Sequence, residues 1–215
     1  MKKVLVLAAH PDDETLGCGA TIHRLSNEGF QIQLITFTNG EGSRGNYEKN
    51  RNILLDKVSL KLGIEKFSSA DFPDNAIDSI PLINVCKFIE NEVDYNPDII
   101  FTHHPEDLNI DHQLVAKATF TVFRPQLGQK HQIYSYYIPS STDYNPNLKL
   151  HGHSYFKISE ENMKTKLEAL EIYEKEMRDY PHSRSYENVE NLMRVWGSEV
   201  GTEFSEKFLK IRELL

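Results

Sequence analysis

Cysteine is scarce: two residues in 215, at positions 18 and 86. Both fall on segments whose spacing predicts helices. They provide neither a disulfide framework nor a Cys-x-x-Cys metal knuckle, which points to a reducing, cytoplasmic setting. Long apolar runs are also missing. Val4–Ala9 follows Lys2 and Lys3 as a leader segment would, but it is too short for one and runs into carboxylates. Nothing approaches the ~20 apolar residues needed to cross a bilayer. Positive charge is in deficit, with 24 Lys and Arg against 32 Asp and Glu for a net charge of −8. That balance excludes a non-specific grip on nucleic acid or an anionic membrane. The Gly-rich segment Asn39–Gly45 is only loosely like a phosphate cradle, and no Walker-type GxxxxGKS accompanies it. Repeats, low-complexity tracts and linkers are absent, so one domain over 1–215 is expected.

What the chain does have is a buried-strand pattern that ends in metal-binding chemistry, twice. Val4–Ala9 shows no polar alternation and reads as a strand covered on both faces. It runs into His10-Pro11-Asp12-Asp13-Glu14, and helical spacing follows from Gly17 to Asn27. Some 90 residues later the same layout returns. Pro97–Thr102 reads as a strand, His103 to His112 as a polar cluster, and 111–123 as a helix. Further strands are expected at 31–38, near Phe67, at 132–138 and at 155–158. Helices are expected at 46–62, with Ile53, Leu54, Val58 and Leu62 facing the core, and at 81–93, 160–178 and 185–200. Strands alternating with helices imply an α/β fold, a mostly parallel sheet with right-handed crossovers and helices on both faces. The first and fourth strands would then lie side by side at the switch point, where such folds place their ligands.

If the two clusters meet there, His10, Asp13 and His112 supply three nitrogen and oxygen ligands. One tetrahedral position is left for water, as in a catalytic zinc site; Fe²⁺ or another divalent ion is also compatible with this set. Asp12 is placed to take a proton from that water, and Asp111 to hold an imidazole in its working tautomer. The chemistry expected is hydrolysis of an amide or ester in a small molecule. Plainer readings compete: Asp12 or Asp13 as a helix cap, Asp111 as the cap of the next helix, Asp107 as a turn residue, and His103 and His104 as loop-shaping residues. Glu41, Arg44 and Asp107 are candidates for substrate contact. His182 and Arg184 are stronger ones, sharing a loop with few apolar residues. His131, His151 and His153 are expected at the surface, and Tyr134, Tyr136 and Tyr137 as packing residues.

AAHPDDE at 8–14 with HPEDLNIDH at 104–112 resembles the PIG-L/LmbE-like family of zinc-dependent N-acetylglucosaminyl deacetylases. The likeness extends to NGEGSRGN at 39–46, FPDNAID at 72–78, PHSRS at 181–185 and WGSEVGTEFSEKF at 196–208. It implies a Rossmann-like three-layer sandwich, zinc on His10, Asp13 and His112, and Asp12 as general base. The implied substrate is an N-acetylated amino sugar, nucleotide- or lipid-linked in some readings. A non-sugar amide, such as a thiol conjugate or antibiotic intermediate, is the alternative; a non-catalytic sugar-nucleotide binding domain ranks below both. One departure matters. Many members have a histidine, used for the oxyanion or the leaving amine, where this chain has Asn109. Asparagine can donate a hydrogen bond but cannot act as the acid. His182 is the expected replacement, with Asp12 performing both proton transfers as the other option. A homo-oligomer is left open, with the 140–155 segment reaching a neighbouring site.

Overall fold

The computed structural model of the chain describes residues 1–39, 51–148 and 153–214. Five parallel strands form one side of a single sheet: β1 (Lys3–Ala8), β2 (Gln31–Thr38), β3 (Lys66–Phe72), β4 (Ile99–His103) and β5 (Gln132–Tyr136). Two antiparallel strands, β6 (His153–Ile158) and β7 (Phe204–Arg212), extend it in the order β3-β2-β1-β4-β5-β7-β6. The α/β fold with a mostly parallel sheet is thus as expected, and β1 pairs directly with β4 (Val4 opposite Ile99, Val6 opposite Phe101).

Side chains of β1 alternate between two cores. Val4, Val6 and Ala8 pack into one, with α1 (Asp13–Asn27), α2 (Arg51–Leu62), α5 (Glu160–Ile172) and α6 (Tyr186–Glu199). Leu5, Leu7 and Ala9 pack into the other, with α3 (Leu82–Glu92) and α4 (Ile110–Val122). A strand buried on both faces cannot alternate with polar residues, which explains the unbroken run. From β1 the chain winds first towards β2 and β3, then returns to β4 and β5. The crevice at the carboxyl ends of β1 and β4 is therefore the switch point.

The antiparallel β7 is absent from the sequence reading, and several boundaries move. Helix α5 stops at Ile172 rather than 178, followed by a short 3₁₀ turn at Glu174–Glu176. On α2 Ile53 is exposed and Leu55 takes its place in the core. His131 is buried, contrary to expectation, with Nδ1 2.7 Å from the Pro97 carbonyl. The tyrosines at 134, 136 and 137 are packing residues as expected. No described helix is long and apolar enough to cross a membrane.

Close packing beneath the crevice requires Gly17. A Cβ there would lie 2.2 Å from the Tyr136 ring, whose hydroxyl donates to the Leu7 carbonyl at 2.7 Å. Helix α1 breaks at Cys18 (φ −147°, ψ 21°). The polar groups freed by the break are satisfied from outside. Glu206 of β7 accepts from the amides of Ala20 (3.3 Å) and Thr21 (2.7 Å). Lys166 of α5 donates to the Leu16 carbonyl (2.8 Å) and to Glu206 (2.6 Å).

Candidate active site

The turn after β1 and the first turn of α4 bring three donor atoms together. His10 Nδ1 is 3.1 Å from Asp13 Oδ2, His112 Nε2 is 3.3 Å from that same oxygen, and the two nitrogens are 3.3 Å apart. Ligands about 2.0–2.1 Å from one tetrahedral ion stand about 3.3 Å from each other. The triangle therefore has the size that one such ion requires, and all three residues are buried. The second oxygen of Asp13, Oδ1, is also buried and has no hydrogen-bond partner among the described residues. An orphaned carboxylate oxygen beside converging lone pairs fits a cation-binding site.

Each imidazole has carboxylate at its far nitrogen. His10 Nε2 lies 3.1 Å from Asp111 and 3.2 Å from Asp74, and His112 Nδ1 lies 3.1 Å from Asp107. Placing the ring hydrogens there frees His10 Nδ1 and His112 Nε2 to ligate. His10, Asp74 and Asp111 form a second group close enough to hold a metal. Asp111, however, already accepts the main-chain N–H groups of Asn75 (2.7 Å) and Ile77 (3.0 Å), which suits an orienting carboxylate better than a ligand. Sequence reasoning misses Asp74 as a site residue; its place in FPDNAID is the available signal.

Burial alone lowers the basicity of both rings, but neighbouring carboxylates outweigh it. Asp111, Asp13 and Asp74 hold His10 well above its ordinary value, and Asp13 with Asp107 brings His112 to about 9. Burial would raise Asp13, yet His112, His103 and His10 take it well below the ordinary carboxylate range. The carboxylates thus favour the protonated form of both rings. His103 is different. Its Nε2 accepts the Ala9 amide at 2.8 Å, its ring stacks on His112 at 4.0 Å, and burial with the His112 charge lowers it to about 4. His104 accepts the Glu106 amide and stands against Tyr137.

Asp12 has φ 130°, a left-handed conformation rare for aspartate. Its carboxylate receives Arg184 Nη1 at 2.9 Å, and Arg184 Nε donates to Ser140 Oγ at 2.9 Å. Arg184, expected at the substrate, is thus tied first to Asp12. Asp107, also expected there, is turned inward. Its carboxylate accepts from Ser141 and Thr142 hydroxyls and the Asn109 amide, and faces His112. Asn109 caps α4 by accepting from the Asp111 amide, and its own amide donates to Asn75 at 3.1 Å. A cavity of about 230 Å³ adjoins the site, with Asn109, His112, Ser140, Arg178, His182 and Arg184 among its walls. His182 accepts the Arg184 amide at Nδ1 (3.0 Å), which leaves the hydrogen of the neutral ring on Nε2. Glu41 and Arg44 lie outside the described residues. Their segment does hold glycines at 40, 42 and 45 in Gly-x-Gly-x-x-Gly spacing, but it follows the second strand rather than the first, so the spacing alone makes no dinucleotide site.

A model of the GlcNAc-PI de-N-acetylases (PIG-L) matches residues 5–123. The uncharacterized deacetylase YaiS of Escherichia coli K12 is 31% identical over 137 residues, 59% of this chain and 71% of that one. The diacetylchitobiose deacetylase of Thermococcus kodakarensis is 32% identical over 84 residues, 36% of this chain and 32% of that one. Among solved structures, a conserved protein from Thermus thermophilus superposes with a TM-score of 0.77 at 22% identity, covering 100% of this chain and 97% of its own.

Proposed function

This chain belongs to the PIG-L family of GlcNAc-PI de-N-acetylases, and on that premise we propose that it is a zinc-dependent hydrolase removing acetyl from an N-acetylated amino sugar. The observation that carries the reading is the donor triangle of His10, Asp13 and His112, with a carboxylate behind each imidazole. A divalent cation held there would polarise the acetamide carbonyl and bring the pKa of a water down towards ~7. Zinc suits two imidazoles and one carboxylate; ferrous iron is the other candidate.

The chain's own groups supply the remaining steps. Asp12 takes a proton from the attacking water, with Arg184 fixing the direction of its carboxylate. Asn109 donates towards the oxygen that gains charge as the carbonyl carbon becomes tetrahedral. Asp12 then returns that proton to the departing nitrogen, towards which His182, on the cavity wall, donates a hydrogen bond from Nε2–H. The C–N bond breaks, and acetate and a free amine leave. The sugar in this reading is supported by the diacetylchitobiose enzyme among the relatives.

Free-amine release from a panel of N-acetyl amino sugars, free and nucleotide- or lipid-linked, tests the proposal. We expect release that stops with chelator and returns with zinc. Asp12→Asn should lower kcat by about 10²–10⁴-fold, and His182→Ala should lower it in the same sense. Release from thiol-conjugated amides but from no sugar moves the substrate outside the amino sugars. Undiminished turnover after complete metal removal contradicts the mechanism.

A further inference from the structure

Arg178 plays no part in the chemistry above, yet it shares a cavity wall with His112, Asn109 and His182. Two main-chain acceptors fix its guanidinium: Nη1 donates to the carbonyls of Lys175 (2.8 Å) and Met177 (2.7 Å). Among the described residues it forms no ion pair, whereas Arg184 beside it is bound to Asp12. Arg178 is thus an exposed guanidinium on the cavity wall with no ion pair among the described residues, in a chain where 32 acidic residues outnumber 24 basic ones.

His112 and Asn109 stand on the cavity wall, where the amide must lie for hydrolysis. On the wall of the same cavity Arg178 offers at least three N–H donors beyond Nη1. Forked donors with full positive charge match the planar or tetrahedral oxygens of carboxylate and phosphate. The volume of about 230 Å³ is below the ~300–1,000 Å³ of drug-sized pockets, so one compact molecule must meet both.

We propose that Arg178 forms an anion subsite that selects substrates bearing a carboxylate or phosphate within one sugar's reach of the scissile acetamide. The proposal rests on the deacetylase reading and adds the substrate's charge to it. Arg178 acts in selection and not in the reaction: an ionic hydrogen bond from it binds ground and transition states alike, which appears in KM.

The test has kinetic and binding arms. kcat and KM are measured for N-acetylglucosamine, N-acetylglucosamine 6-phosphate and an N-acetylglucosamine carrying a carboxylate in place of the phosphate, with wild type, Arg178→Lys and Arg178→Met. The wild type should favour at least one anionic sugar over the neutral one. In Arg178→Met the ratio of kcat/KM between that sugar and the neutral one should fall about tenfold, through KM, with partial recovery in Arg178→Lys. Comparing the phosphate and carboxylate arms identifies the group selected. Calorimetric titration of the zinc-loaded protein with the same sugars gives a readout that needs no turnover. If no sugar is hydrolysed but anionic sugars bind more weakly to Arg178→Met, the subsite stands and the reaction assigned above is wrong. Equal losses on neutral and anionic sugars, or no preference in the wild type, overturn the subsite.

Discussion

Two residues beside the proposed metal ligands carry opposite pH signatures. Burial raises the Glu14 carboxyl from 4.5 to about 7, and the fold holds it protonated while the unfolded chain ionises. Its share of stability is thus present below the unfolded value and is lost as pH rises towards 7. Burial lowers His103 from 6.5 to about 4, so below 6.5 the unfolded chain takes up a proton that the fold refuses. Its share is present above 6.5 and is lost as pH falls towards 4. Each shift is worth on the order of 3 kcal/mol across its window, and the two nearly cancel where they overlap. Urea denaturation across about pH 4.5–6.5 should expose them. Glu14→Gln leaves the His103 slope and loses stability as pH falls. His103→Gln leaves the Glu14 slope and loses stability as pH rises. Parallel profiles in the two variants would refute this assignment. At this scale the sequence is legible where a residue's partner is a neighbour on the same turn, as for His10 and Asp13. Asp107 escapes it because its partners, Ser141 and Thr142, come from a distant loop whose approach no local pattern announces.

At the scale of elements, the strand-then-cluster layout at 4–14 and 97–112 reveals both halves of the site, because a run covered on two faces has a local signature. Strand β7 is hidden for the converse reason. Phe204–Arg212 carries Glu206 and Lys207 inside a buried stretch, and charges argue against a buried strand until their partners are known. Glu206 is accounted for by Lys166 and by the break in α1, contacts that join three elements. Removing one partner of such a buried pair leaves an uncompensated charge, so Lys166→Met should cost about 3–5 kcal/mol in urea denaturation. Adding Glu206→Leu should not restore the loss fully, because the Ala20 and Thr21 amides would lose their acceptor at about 1–3 kcal/mol each. Wild-type stability in the double variant would show that the pair does not hold the break.

For the whole molecule, the doubly wound order explains why residues 10 and 112 meet although a hundred positions separate them: the chain leaves β1 in one direction and returns on the other side. The fold alone does not select the chemistry. That selection comes from carboxylates concentrated behind two imidazoles, a donor set that in the proposed reading holds a cation. Metal binding should accordingly displace protons from His10 and His112. The most direct measurement is anomalous X-ray scattering above the zinc edge from crystals grown with zinc. The account predicts one strong peak about 2.0–2.2 Å from His10 Nδ1, Asp13 and His112 Nε2. A peak on His10 Nε2 with Asp74 and Asp111 instead, or none near His10, would contradict it.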